Sequence, residues 1–163
     1  MRAIILAALI AAPAGAAVAD EVPPRTPGLW ESVSTSDDGV TKARQCVGED
    51  TDRLAKQAVG GANSCSKNVV TRTGDGYATE TVCKVGAVTA EGRGAITGDF
   101  RTTVRIETVT VLTGLPEQST PLTRKTVIEN RRVGDCQPGQ KPGDIILEDG
   151  TVAPTPGTPT KTQ

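Results

Sequence analysis

Four cysteines, at positions 46, 65, 83 and 136, constrain this chain more than any other feature, because it holds only one Trp, one Tyr and one Phe. With so few large side chains, the interior must be built from Val, Ile, Leu, Ala and threonine methyls. At about 25 cal/mol per Å² of buried apolar area, such a core is marginal without covalent help. No C-x-x-C spacing occurs, so a four-thiolate zinc site is disfavoured. An even cysteine count in an exported chain reads as disulfides.

Export is the expectation from residues 1–19. Arg2 precedes an apolar run from Ala3 to Ala12, and a small-residue tract ends in Ala17-Val18-Ala19. That order is the layout of a secretory signal peptide with cleavage before Asp20. The apolar run is short for a bilayer span, so no stable membrane span is expected after cleavage. No cysteine stands at the cleavage point to take a lipid. The predicted location is the periplasm. The formal net charge is −1, with both signs mixed along the chain. Nothing there forms the basic footprint that nucleic acid or anionic lipid requires.

The remaining chain divides into a Pro-rich lead-in (20–27), one β domain (28–150) and a tail (151–163) expected to be disordered. Strand patterns dominate the domain. "LWESVST" and "VTKARQCV" flank a turn at Asp38-Gly39, and "CSKNVVTRT" and "YATETVCKV" flank Gly74–Gly76. "AVTAEGRGAIT" follows, and then "DFRTTVRIETVTVL", where Phe100, Thr102, Val104, Ile106, Thr108, Thr110 and Leu112 alternate with Arg101, Thr103, Arg105 and Glu107. "LTRKTVIENRRVG" closes the series. The pattern predicts an all-β, mainly antiparallel meander of about seven to eight strands, as a curved sheet or a small calycin-like barrel. A short helix is expected over Gly48–Gly61, where Glu49, Asp50 and Asp52 lead, Lys56 lies late and Gly60-Gly61 stop it.

On this map Cys65 opens one strand of the second hairpin and Cys83 closes the other, with the turn almost midway. Four cysteines allow three connectivities. The hairpin geometry favours Cys65 with Cys83, leaving Cys46 for Cys136. A further candidate set is Gly28 and Trp30 with Arg131 or Arg132. G-x-W on a first strand and an arginine on a last strand sketch a calycin-type closure, with the cation stacked on the indole. The plainer reading has Trp30 plugging one end of the sheet.

The chain resembles domain-of-unknown-function family 3617. The resemblance rests on "PGLWE" (27–31), "RQCVGED" (44–50), the two mid-chain cysteines, "RRVGDC" (131–136) and "GQKPGDIILEDG" (139–150). It implies an exported bacterial protein with this four-cysteine layout, and it brings no activity or catalytic residues with it. The chain departs from the family in lacking a Met- and Gly-rich insert after the first strand. It also has Val47-Gly48 where Thr-Pro usually starts a helix.

No catalytic constellation stands out. The chain has no histidine, which removes the commonest general base and neutral metal ligand. "SDDG" (36–39) and "EDTD" (49–52) lack the spaced oxygens of a calcium loop, and "GRG" and "GQKPGD" lack P-loop spacing. A glycosidase would want carboxylates beside aromatic platforms, which this chain cannot supply. The expectation is a non-catalytic domain without cofactor or metal. Its candidate partners are a small apolar ligand or lipid, or another envelope protein.

Overall fold

The computed structural model describes residues 20–49, 51–52 and 65–153. It contains nine strands: β1 (Gly28–Ser36), β2 (Gly39–Val47), β3 (Cys65–Arg72), β4 (Gly76–Val85), β5 (Val88–Gly98), β6 (Thr103–Thr113), β7 (Leu122–Gly134), β8 (Ile145–Leu147) and β9 (Val152–Ala153). All pair antiparallel in one sheet of order β3-β4-β5-β6-β7-β1-β2-β8-β9. The seven strands expected from the alternation are present. β3 and β9 are the two edges and no ladder joins them. The sheet of the described strands is therefore open, and they do not close the expected calycin-like barrel.

Three further expectations are corrected. The described start of the expected helix is a turn. The Thr51 N–H donates to the Gly48 carbonyl (3.2 Å) and the Gly48 N–H to the Thr51 hydroxyl (2.8 Å). Asp52, expected among the acids of a helix N-terminus, pairs with Arg25. No helix occurs among the described residues, and positions 50 and 53–61 of the expected helix lie outside them. Secondly, the ladder continues beyond residue 150. "IIL" adds to β2 as β8, and Val152–Ala153 of the expected tail pair with it as β9. The remaining tail, 154–163, and the expected signal peptide, 1–19, also lie outside the described residues.

Thirdly, β6 begins at Thr103, so Phe100 and Thr102 are in a turn and not on the strand. The Asp99 carboxylate shapes that turn. It accepts from the backbone N–H groups of Arg101 (2.9 Å), Thr102 (2.7 Å) and Thr103 (2.9 Å), and from the Thr102 hydroxyl (2.6 Å). The Thr102 hydroxyl, followed by these backbone donors, holds the carboxyl well below its ordinary pKa. Phe100 takes a positive φ of 59° and turns its ring inward, edge-on to Tyr77 with centroids 6.0 Å apart.

Successive side chains of a strand alternate faces, and the register puts one kind on each. The inner face carries Trp30, Val70, Tyr77, Ile96, Val104, Ile106 and the half-buried Ile128. Arg105, Glu107, Glu129 and Glu31 stand on the other. The core gathers at one end of the sheet, at the starts of β1, β4 and β6 and the ends of β2, β3, β5 and β7. No second sheet or helix layer covers it among the described residues, so curvature and a strap must.

The strap is the lead-in. Pro23, Pro24 and Pro27 keep it extended, and it runs from β1 back to β3. Its contacts are Thr26 N–H to the Phe100 carbonyl (2.8 Å), Asp20 N–H to the Val70 carbonyl (3.3 Å) and Arg72 N–H to the Asp20 carboxylate (2.7 Å). Its own Val22 and Arg25 are buried against the sheet. An extended stretch of this length spans roughly 27 Å, and the strand spacings from β1 to β3 total about 24 Å. The strap therefore reaches across the face without slack.

Both disulfides form in the favoured pattern, Cys65–Cys83 and Cys46–Cys136, with sequence separations of 18 and 90. Cys65 and Cys83 lie directly opposite in the β3–β4 ladder. Cys46–Cys136 ties the end of β2 to the chain leaving β7. The same joint is laced by Gly143 N–H to the Cys46 carbonyl (2.7 Å) and Cys46 N–H to the Asp144 carbonyl (3.0 Å).

In the chain-entropy model the shorter loop is worth about 3 kcal/mol and the longer one about 4.5 kcal/mol. Replacing both cysteines of the 46–136 bond by Ser should therefore lower the urea-unfolding free energy more than the same change at 65–83. A second expectation concerns pH. Asp99 has a depressed folded pKa, so its contribution is complete above the ordinary carboxylate value near about 4 and is lost as pH falls below it. Asp99→Asn should flatten the fall in melting temperature between neutral and strongly acidic pH.

Candidate functional site

Two regions hold the chemistry-bearing side chains: the corner around Trp30 and the outer face of the sheet. At the corner, Gly28 starts β1 with φ +141°, and a Cβ there would sit 2.5 Å from the Gly134 carbonyl and 2.7 Å from Arg132 Nε. Only glycine lets β1 and β7 approach so closely. A register shift between Leu29 and Trp30 on the β7 side accompanies this contact. Trp30 points inward and is fully buried, and its Nε1–H donates to the Thr26 carbonyl at 2.8 Å.

The cation over the indole is neither Arg131 nor Arg132. Arg25 of the strap lies there, its Cζ 5.2 Å from the ring centroid. Its guanidinium donates to Asp52 Oδ1 through Nε (3.0 Å) and one terminal nitrogen (3.0 Å), and that nitrogen also reaches Gln45 Oε1 (2.8 Å). The Arg25 backbone N–H donates to Asp52 Oδ2. Gln45 is in reach because it is the register partner of Trp30 on β2. Both charged side chains are only 1% exposed. Among the described residues, no buried side-chain nitrogen or oxygen lacks a hydrogen-bond partner. Arg132 serves the same corner differently, donating from Nε to the Pro27 carbonyl (3.0 Å) and pairing with Asp135 (2.7 Å). Arg131 is exposed on the outer face.

Sequence reasoning placed Gly28, Trp30 and Arg132 together and missed Arg25, Gln45 and Asp52. Arg25 stands among prolines in a segment that reads only as extended. Asp52 stands where helix-start acids are common. No local signal joins residues 25 and 52.

The outer face is a lattice of charge and valine. Arg105 pairs with Glu107 (2.6 Å) and Glu129 (2.5 Å), Arg44 with Glu31 (3.4 Å), and Lys67 with Glu80. Glu107, through its hydrogen bond, raises the Arg105 pKa, and the Lys67 hydrogen bond lowers that of Glu80. A groove of about 460 Å³ crosses β1, β7, β6 and β5 between Glu31, Val33, Thr97, Thr103, Arg105, Glu129 and Arg131. A second, of about 430 Å³, has a floor of Val82, Val109 and Val111 and walls of Lys67, Glu80, Glu91 and Arg93. Among the described residues no three His, Cys, Asp or Glu side chains gather as a metal site. No helix among them is long and apolar enough to cross a membrane.

A family model described as a protein of unknown function, DUF3617, matches residues 25–136. The chain belongs to the DUF3617 family. Neither a curated protein nor a solved structure matches it. The DUF3617 match begins at Arg25 and ends at Cys136, so it takes in the strap arginine, Trp30 and both disulfides.

The magnitudes rank the corner's contacts. A cation over an indole contributes about 0.5–2 kcal/mol, whereas removing one partner of a buried ion pair costs about 3–5 kcal/mol because the other charge is stranded. Arg25→Ala and Asp52→Ala should each destabilise by about 3–5 kcal/mol in chemical denaturation. The double variant should cost clearly less than their sum. Equal, additive losses would show that the two charges do not act as a pair.

Proposed function

We propose that this protein is an exported, non-catalytic β domain of a Gram-negative periplasm that docks another envelope protein on its open sheet. Support for export comes from the leader-like residues 1–19 and from two disulfides, which persist in oxidising compartments. The observation that carries docking is the division of the two faces. The inner face is filled at its core end by the protein's own Trp30, Ile96 and Val104. The outer face leaves grooves with a valine floor and walls of both charge signs. Such a surface suits a folded protein partner, with apolar contact at the centre and charges setting register.

The alternative reading is a small apolar ligand or lipid on the inner face. It draws on Leu112 and Leu122, which are register partners and half-buried at the far end from Trp30. Photo-crosslinking in intact cells separates the two. A crosslinking residue in place of Val109, on the outer face, should give one discrete protein adduct. The same residue at Leu112 should not. Absence of any adduct at Val109, together with an apolar small molecule retained in native mass spectrometry, would replace docking with ligand binding.

A further inference from the structure

We infer that the Asn68–Arg72 edge of β3, which no other described strand pairs with, is a strand-addition site for an extended, acidic segment of a partner protein, and that Asp20 occupies part of it as an intramolecular stand-in. This rests on the docking reading above and adds to the outer-face contact a second contact of the same partner, at the margin of the sheet. An edge strand presents a row of backbone N–H and C=O groups that an extended peptide can pair with. β3 is such an edge. Its outward groups are identified by what Asp20 touches: the Val70 carbonyl, which accepts the Asp20 N–H at 3.3 Å, and the Arg72 N–H, which donates to the Asp20 carboxylate at 2.7 Å. Alternation then directs the backbone groups of Asn68 outward as well.

The chemistry of the occupant follows from the same contacts. β3 reads "CSKNVVTR", with no acidic residue to repel an anion, and the group that its outward Arg72 N–H already holds is a carboxylate. Asp20 and Glu21 are exposed, whereas Val22 and Arg25 behind them are buried. The end of the strap can therefore lift from β3 while its root stays anchored over the core. A partner strand carrying an acid at its end would replace Asp20 on Arg72 and extend along Val70 and Asn68.

The test uses the chain from Asp20 onward, with both disulfides intact, and two acetylated decapeptides of alternating Thr and Val. One peptide carries Asp at both ends and the other Lys. Amide NMR shifts report the site. The acidic peptide should move Asn68, Val70 and Arg72, and Asp20→Ala should tighten it about three- to tenfold, the range that one freed hydrogen bond corresponds to. Asn68→Pro removes an outward donor but no ladder bond, and it should abolish binding with β4 amides unchanged. The inference is overturned if β3 amides do not respond in wild type or Asp20→Ala, if the Lys peptide binds as well, or if Asp20→Ala changes nothing. Crosslinking at Val109 that persists despite such a result would leave docking standing and place it away from β3.

Discussion

A buried guanidinium facing an indole organises this molecule. Arg25 lies over Trp30 and is held from the side by Asp52 and Gln45. Desolvating a charge is expensive unless it is paired and hydrogen-bonded, so the three partners are obligatory once Arg25 is inside. Each partner comes from a different part of the chain: the first strand, the second strand and the turn after it. Satisfying one cation therefore fixes the root of the strap, the start of β1 and the exit from β2 relative to one another.

That constraint matters because the described residues form a single open sheet with no second layer to stack on. The chain covers the core end of its inner face with its own lead-in, and the far end of the lead-in reaches β3, the strand at one edge. The two disulfides act on a different problem. Cys65–Cys83 pins that same edge strand to its neighbour, and Cys46–Cys136 holds the segment that continues the sheet past β2. Covalent bonds secure the margins, while the ion pair and Trp30 secure the centre. Burial of one face leaves the other, with its valines and alternating charges, as the surface offered to solvent and partners.

Much of this was legible residue by residue. Alternation from Val104 to Leu112 predicted β6, turn chemistry at Asp38-Gly39 predicted the first hairpin, and the placing of Cys65 and Cys83 about Gly74–Gly76 predicted their bond. The errors also have causes. Phe100 fits the alternation, yet Asp99 competes for the backbone donors that follow and turns them away from the ladder. The acids at 49–52 match a helix start, but that pattern does not announce that Asp52 also neutralises a buried guanidinium. A cation over Trp30 was one of two readings beside simple plugging, and the last strand was the wrong place to seek it, because Arg132 is engaged by Pro27 and Asp135.

Strand identity, turn positions and the need for crosslinks are local or compositional properties, since they follow from side-chain period, glycine placement and the shortage of large apolar residues. Whether the sheet closes, what covers its inner face and which arginine meets Trp30 are not local. They depend on which distant groups can satisfy a buried charge and on how far an extended segment can reach. Contacts between residues separated by tens of positions leave no periodic trace in a single chain, so they become visible only when the strands are set side by side.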